Sequence, residues 1–171
     1  KDDYEYFEKL DQLMYLAMRS LEIKRKVVTK NLDSWLLPFS KRYLGNLDHH
    51  FSTIGLVGMN ESCLNFLGED IASKQGKQFA VKVLNFMRDK LQEFQEDTGH
   101  IYNLEATPAE GTSHRLARID RQAFPDIKLG GKDVPFYTNS TQLPVEYTDD
   151  VLYSLKHQEA LQTLYTGGTV F

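Results

Sequence analysis

What most narrows the fold of this chain is an alternation between long helical stretches and apolar runs too short to be anything but strands. Phe7, Leu10, Met14, Ala17, Leu21 and Val28 recur three, four or seven residues apart, which predicts one amphipathic helix over residues 2–30. Phe79, Val83, Phe86, Met87, Leu91 and Phe94 mark a second over residues 73–98, with Gly99 as its stop. Residues 51–58 (FSTIGLVG) and 100–106 (HIYNLEA) read as strands. Residues 59–68, 111–123 and 149–166 read as further helices, the last capped by Thr148 or Asp149. Residues 136–145 read as extended, and Gly167-Gly168 precedes a final strand at residues 169–171. Short buried strands alternating with longer helices imply an α/β fold, helix-rich, with a parallel sheet crossed by helices.

The connecting segments carry two further expectations. Residues 31–47 are irregular, with Trp35, Leu36, Leu37 and Phe39 packing onto the neighbouring helix, and residues 124–135 are a loop. Glu22, Lys24, Arg25 and Lys26 form a charge run that reads as a solvated helix face.

A chain of 171 residues can bury a core as one domain, and its 41% hydrophobic and 26% charged residues are ordinary for a globular protein. A net charge of −4 supplies no broad basic face, so a nucleic-acid polymer is not an expected partner. No apolar run of membrane length is present, and a cytoplasmic setting is expected. The single cysteine, Cys63, excludes an internal disulfide and any zinc site built from several cysteines of this stretch. Lys1 in place of an initiator Met, and a strand-forming end just after two glycines, read as a piece of something longer.

The richest chemistry lies in residues 103–115 (NLEATPAEGTSHR), where an apolar strand runs into a turn of Thr, Pro, Gly and Ser and then into a helix. A helix N-terminus leaves backbone N–H groups unpaired and carries partial positive charge, which suits a phosphate. Thr107, Thr112 and Ser113 add hydroxyls, Gly111 admits close approach of the main chain, and Arg115 adds a cation one turn in. The same residues also suit a capping turn with no ligand.

In a sheet of this kind ligands gather at the carboxyl ends of the strands. Three polar clusters sit in those loops and can line one pocket: residues 58–61, 107–113 and 138–142. Asn60 and Glu61 fit either capping or substrate contact. Glu105 points to the face opposite Leu104 and is either pocket-lining or paired with a cation. Residues 138–141 fit an edge strand as well as a ligand loop. The five histidines lack the spacing of a metal site, and Cys63, among Leu64, Phe66 and Leu67, reads as a buried inert thiol.

Four segments in order carry a resemblance: residues 51–61 (FSTIGLVGMNE), 102–113 (YNLEATPAEGTS), 137–145 (YTNSTQLPV) and 165–171 (YTGGTVF). They resemble signatures of the catalytic subunit of anaerobic (class III) ribonucleotide reductases, and residues 4–10 and 21–26 fit the helix that precedes them there. The resemblance implies part of a ten-stranded glycyl-radical-type α/β barrel, with residues 1–171 a single partial domain from the barrel's second half. It implies reduction of ribonucleoside triphosphates to their deoxy forms, with formate as reductant. A glycyl radical installed by an S-adenosylmethionine and iron–sulfur activase makes a thiyl radical that abstracts the ribose 3′-hydrogen.

Carried onto this chain, the resemblance implies that Thr107, Pro108, Ala109, Gly111, Thr112 and Ser113 face the substrate phosphates, with Glu105 and Asn103 near the ribose. Asn60, Glu61, Asn139, Ser140 and Thr141 complete the pocket wall. The whole enzyme is expected to be a homodimer with a structural zinc and ATP or deoxynucleotide effectors. This stretch contains no radical glycine motif, no four-cysteine zinc site, no effector domain, and no thiyl cysteine where the family keeps one. On its own it is expected to be inactive and to bind no metal. The rival readings are another glycyl-radical enzyme of formate-lyase type, or a non-enzymatic helical interaction module.

Overall fold

The computed structural model describes residues 2–168. Its elements in chain order are α1 (Asp3–Asp33), α2 (Pro38–Leu44), β1 (Ser52–Gly55), α3 (Met59–Phe66), α4 (Lys74–Thr98), β2 (Tyr102–Ala106), α5 (Glu110–Ala123), α6 (Val151–Gln162) and β3 (Gly167–Gly168). The three strands form one sheet in the order β1-β2-β3, and β2 pairs with β3 in parallel, Glu105 against Gly167 and Ala106 against Gly168. This is the helix-rich α/β arrangement with short strands that the periodicity predicts, although β3 is exposed and β1 buries only alternate residues. The expected strand at residues 169–171 falls outside the described residues.

The chain divides into two compact units, residues 2–54 with 87–103, and residues 55–86 with 104–168. In the first, Asp2 caps α1 by accepting a hydrogen bond from the Tyr4 amide at 2.9 Å, with Asp3 and Glu5 in the opening turn. α1 buries Met14, Met18 and Leu32, and Lys90 of α4 reaches Asp11 at 2.9 Å. Phe94 meets Tyr102 edge-on at 6.0 Å.

Three expectations change here. Arg25 does not belong to a solvated face: it is only 9% exposed and donates to the Leu47 carbonyl (2.6 Å), the His50 carbonyl (2.6 Å) and Ser52 Oγ (3.1 Å). Glu22 accepts from the Tyr102 hydroxyl at 2.5 Å and lies 3.0 Å from His100 Nδ1. Burial raises the Glu22 carboxyl, but the hydrogen bonds from Tyr102 and His100 and the nearby charges outweigh it and leave the group below its ordinary range. Burial and the same carboxylate push the Tyr102 phenol up to about 12. Residues 31–47 are not wholly irregular, since Pro38 starts α2, which packs back on α1. Trp35, Leu36 and Phe39 do not pack onto a helix: Trp35 turns the chain with a φ of +58°, and the three side chains point to solvent.

In the second unit the core comprises Met59, Cys63, Ile71, Phe79, Ala80, Val83, Leu84, Leu104, Ala106, Ala117 and Leu161. Phe66 and Phe79 stack at 5.1 Å. α6 is shorter than expected and is capped by Asp150, whose carboxylate accepts from the Tyr153 amide at 3.0 Å; Thr148 Oγ1 supports it by accepting from the Asp150 amide. Residues 136–145 are not a regular strand. They make isolated bridges, Gly130 with Phe136 and Val57 with Asn139, and then turn at Ser140, whose φ is +44°. No helix among the described residues is long and apolar enough to cross a membrane.

Gly76 in the first turns of α4 inverts the usual rule for glycine in helices. A Cβ there would lie 2.0 Å from the Asp70 carbonyl oxygen, which is backbone and cannot swing aside. Alanine in a helix interior normally gains about 0.5–1 kcal/mol over glycine. Gly76→Ala in the full-length protein should instead cost about 1–3 kcal/mol through overpacking, read as a lower thermal midpoint. A raised midpoint would refute this packing account.

Candidate functional site

The three polar clusters all belong to the second unit, and hydrogen bonds join them. α3 begins at Gly58, whose φ is +81° and whose added Cβ would meet Tyr137 Cδ1 at 2.9 Å. That approach lets the Gly58 amide reach the Thr138 carbonyl (2.7 Å) and the Met59 amide reach the Ser140 carbonyl (3.2 Å). One turn on, Glu61 is 1% exposed. Its Oε2 accepts from the Thr138 amide (2.9 Å), and its Oε1 from Thr138 Oγ1 (2.7 Å) and Asn60 Nδ2 (3.0 Å). Asn60, also buried, accepts from the Ile71 amide through Oδ1 at 3.3 Å.

The loop that Glu61 holds continues to the turn after β2. Asn139 Oδ1 accepts from the Ala109 amide at 3.3 Å, and Ser140 Oγ donates to the Thr107 carbonyl at 3.4 Å. Ser113 closes the same junction from α5, donating a short hydrogen bond to the Tyr137 carbonyl and accepting from the Tyr137 amide at 2.9 Å. Thr141 is fully buried; its carbonyl accepts from Gln158 Nε2 (2.9 Å) and its hydroxyl from Tyr165 (3.3 Å).

At the turn itself, α5 starts after Ala109, a residue without a capping side chain, and no side chain caps the helix. The first helical bond runs from the Ser113 amide to the Ala109 carbonyl, so the amides of Glu110, Gly111 and Thr112 precede the hydrogen-bonded turns. All three residues are exposed, and a Cβ on Gly111 would meet nothing within 4 Å. Thr107 and Ala109 are half-buried and Pro108 is exposed.

Asn103 and Glu105 alternate with the buried Tyr102, Leu104 and Ala106 and share the half-buried face of β2. Asn103 Oδ1 is buried and makes no hydrogen bond. Hydrogen bonds link the three clusters. A cavity of about 430 Å³ is lined by Gly58, Glu61, Ser62, Asn65, Phe124, Asp126, Ile127 and Tyr137, and takes no residue from the turn at 107–113.

Residue-by-residue reading overlooked several side chains that hold this region. Tyr137 donates to Asp120 at 2.6 Å, and burial together with that carboxylate raises its phenol far above the ordinary value. His157 and Gln158 are buried on α6, His157 Nε2 lying 3.1 Å from the Ile71 carbonyl; burial lowers the His157 pKa. Their signal in the sequence is slight: a polar pair three and four residues before the buried Leu161.

The described residues do not suit a structural zinc. No group of three or more His, Cys, Asp or Glu side chains among them is arranged to hold a metal ion, and Cys63 is buried with its thiol pushed up to about 12 by burial and by Asp70.

Two outcomes are expected from this geometry in the full-length protein. Iodoacetamide at pH 8 should leave the Cys63-bearing peptide unmodified until the protein is denatured, as read by peptide mass spectrometry; rapid native alkylation would contradict a buried, protonated thiol. Ser113→Ala should cost about 1–3 kcal/mol, because the Tyr137 amide loses its acceptor inside the protein, and an unchanged thermal midpoint would remove Ser113 as the clasp.

The family model for anaerobic ribonucleoside-triphosphate reductase matches residues 1–171. Among curated relatives, the anaerobic ribonucleoside-triphosphate reductases of Haemophilus influenzae and Escherichia coli are each 26% identical over 121 residues, covering 69% of this chain. The chain spans 17% of the length of each. Among solved structures, the Thermotoga maritima anaerobic ribonucleotide reductase with dATP bound in the specificity site superposes with a TM-score of 0.74 at 28% identity, over 96% of this chain and 29% of that one. The same protein in complex with dATP and CTP gives 0.74 at 28%, over 95% and 28%. With the match running along the whole chain and the fold agreeing, this chain belongs to the anaerobic ribonucleoside-triphosphate reductase family.

Proposed function

We propose that the protein carrying this chain reduces ribonucleoside triphosphates to deoxyribonucleoside triphosphates, and that this chain contributes the turn holding the substrate's phosphates. The observation that carries the reading is the uncapped start of α5, where the Glu110, Gly111 and Thr112 amides are open and the Thr112 hydroxyl is exposed beside them. The Thermotoga relative has been solved with CTP, which supports a nucleoside triphosphate as the ligand class.

On this reading Thr107, Pro108, Ala109, Gly111 and Thr112 border the phosphates, with the Glu110, Gly111 and Thr112 amides donating and Gly111 admitting close approach. Asn103 and Glu105 serve the ribose end: the Asn103 amide oxygen is buried without a partner, and a sugar hydroxyl is the kind of donor that would satisfy it. Asn60, Ser113, Ser140 and Thr141, whose polar groups bond to the protein itself, brace the pocket from behind.

In the whole protein, a glycyl radical made by an S-adenosylmethionine and iron–sulfur activase would supply the thiyl that takes the ribose 3′-hydrogen, with formate as reductant. This chain's part is to hold the triphosphate so that the ribose is presented in one orientation, away from water. On the same reading the segment would belong to the second half of a ten-stranded barrel, in a cytoplasmic homodimer with a structural zinc and nucleotide effectors. Alone it would be inactive, because it carries no radical glycine motif and its one thiol, Cys63, is buried away from the position where the family keeps its thiyl cysteine.

Thr112→Ala in the full-length protein removes one hydroxyl donor from the turn. The affinity for a ribonucleoside triphosphate should fall about tenfold, and binding to the unaltered protein should weaken as salt rises; calorimetric titration checks both. An unchanged dissociation constant for Thr112→Ala would overturn the phosphate assignment.

A further inference from the structure

The turn at 107–113 has a feature that neither its own residues nor a phosphate explains. Its helix starts on an alanine, yet the Ala109 amide is satisfied by Asn139 Oδ1 at 3.3 Å, an acceptor brought from 30 residues further along the chain. Asn139 is held in place by its neighbour. Thr138 gives both its amide and its hydroxyl to the one carboxylate of Glu61, at 2.9 and 2.7 Å.

A carboxylate that is 1% exposed is an expensive way to fill space. An apolar residue of similar size would serve packing better; it could not accept from the amide and the hydroxyl of a single loop residue at once. That double acceptance fixes the direction of the Thr138 peptide, and with it the direction in which Asn139 presents its side chain. Gly58 and Met59 add amides to the Thr138 and Ser140 carbonyls from the same helix start, at 2.7 and 3.2 Å. The loop is thus seated on α3 on one side and grips the turn on the other, through Asn139 at Ala109 and Ser140 at Thr107.

We propose that Glu61 is a positioning residue for the phosphate turn, acting through Thr138 and Asn139 on the Ala109 amide, and makes no contact with substrate itself. This rests on the reading of residues 107–113 as the phosphate site. The bond from the Ala109 amide to Asn139 takes that amide out of play and sets the rotation of the first turn of α5, so the next three amides point at one place. Loosening the relay therefore weakens the grip on the phosphates and leaves the reacting end of the substrate alone.

The test uses the full-length protein in four forms, Thr112→Ala, Asn139→Ala, Glu61→Gln and the Asn139→Ala/Glu61→Gln pair, with kcat and KM measured for a ribonucleoside triphosphate. The relay predicts that Asn139→Ala and Glu61→Gln each raise KM about three- to tenfold with kcat changed less than twofold, and that the pair is no worse than the weaker single variant. Lost folding would do the reverse, lowering kcat with the active fraction while KM holds. If Glu61→Gln does not fold, Thr138→Val, which removes only the hydroxyl donor to Oε1, carries the same expectation.

If Thr112→Ala raises KM but Asn139→Ala and Glu61→Gln do not, the phosphate site stands and the relay is overturned. If the effects of Asn139→Ala and Glu61→Gln multiply in the pair, they act separately and the relay is again overturned. If Thr112→Ala leaves KM unchanged, the phosphate reading fails and takes this inference with it.

Discussion

A buried carboxylate has to find donors inside the protein, and at Glu61 that requirement organises the second unit. Removing a charged group from water costs several kcal/mol, and each hydrogen bond to it returns about 1.5–3. Three donors surround the group, two of them from Thr138, a residue 77 positions away in the chain. The loop cannot leave without stranding the charge, so the order of residues 137–141 and the order of the α3 start are one condition. Everything the loop touches inherits that rigidity: Ala109 through Asn139, Thr107 through Ser140, and α5 through the two-way bond between Ser113 and Tyr137.

The first unit solves the converse problem with a cation. The Arg25 guanidinium collects the Leu47 and His50 carbonyls and the Ser52 hydroxyl, tying down the irregular approach to β1. Glu22, one turn earlier on the same helix, takes the Tyr102 hydroxyl and His100 at the start of β2. Both residues sit in what reads, by composition, as a solvated charge run. Helical spacing separates them from it, because residues 22 and 25 lie along one side of α1 together with the buried Met18. A charge three or four residues from a buried apolar side chain shares its face.

That case shows what was legible in the chain and what was not. The long helices, β1 and β2 and the start of α5 are encoded locally, in apolar spacing and in glycine stops, and they form where the pattern puts them. α2 hides because seven residues cannot display a period, and residues 136–145 misread as extended because their conformation answers to Glu61 and Ser113, neither of them nearby in sequence. At the site, residue identity marks the polar segments but not where the polar atoms of each group point. The sequence offers Asn60, Glu61 and Ser113 as polar groups in loops. Only packing reveals that their polar atoms are turned inward, each bonded to a backbone or side-chain group of the protein.

The same distinction bears on how the turn at 107–113 could hold an anion at all. Glu110 lies in the first turn of α5, where its charge suits the helix dipole and is worth about 0.3–1 kcal/mol to the helix. That charge repels a phosphate, and the first cation along the helix is Arg115, five residues on. Net charge therefore gives the turn little advantage, and both side chains are exposed and screened by salt. What remains is direction: amides fixed by backbone geometry, beside a position where a Gly111 Cβ would meet nothing. A site that works by direction needs its first turn held to a fraction of an ångström, and an alanine N-cap cannot do that alone. The distant acceptor on Asn139 and the buried acid behind it supply the missing constraint.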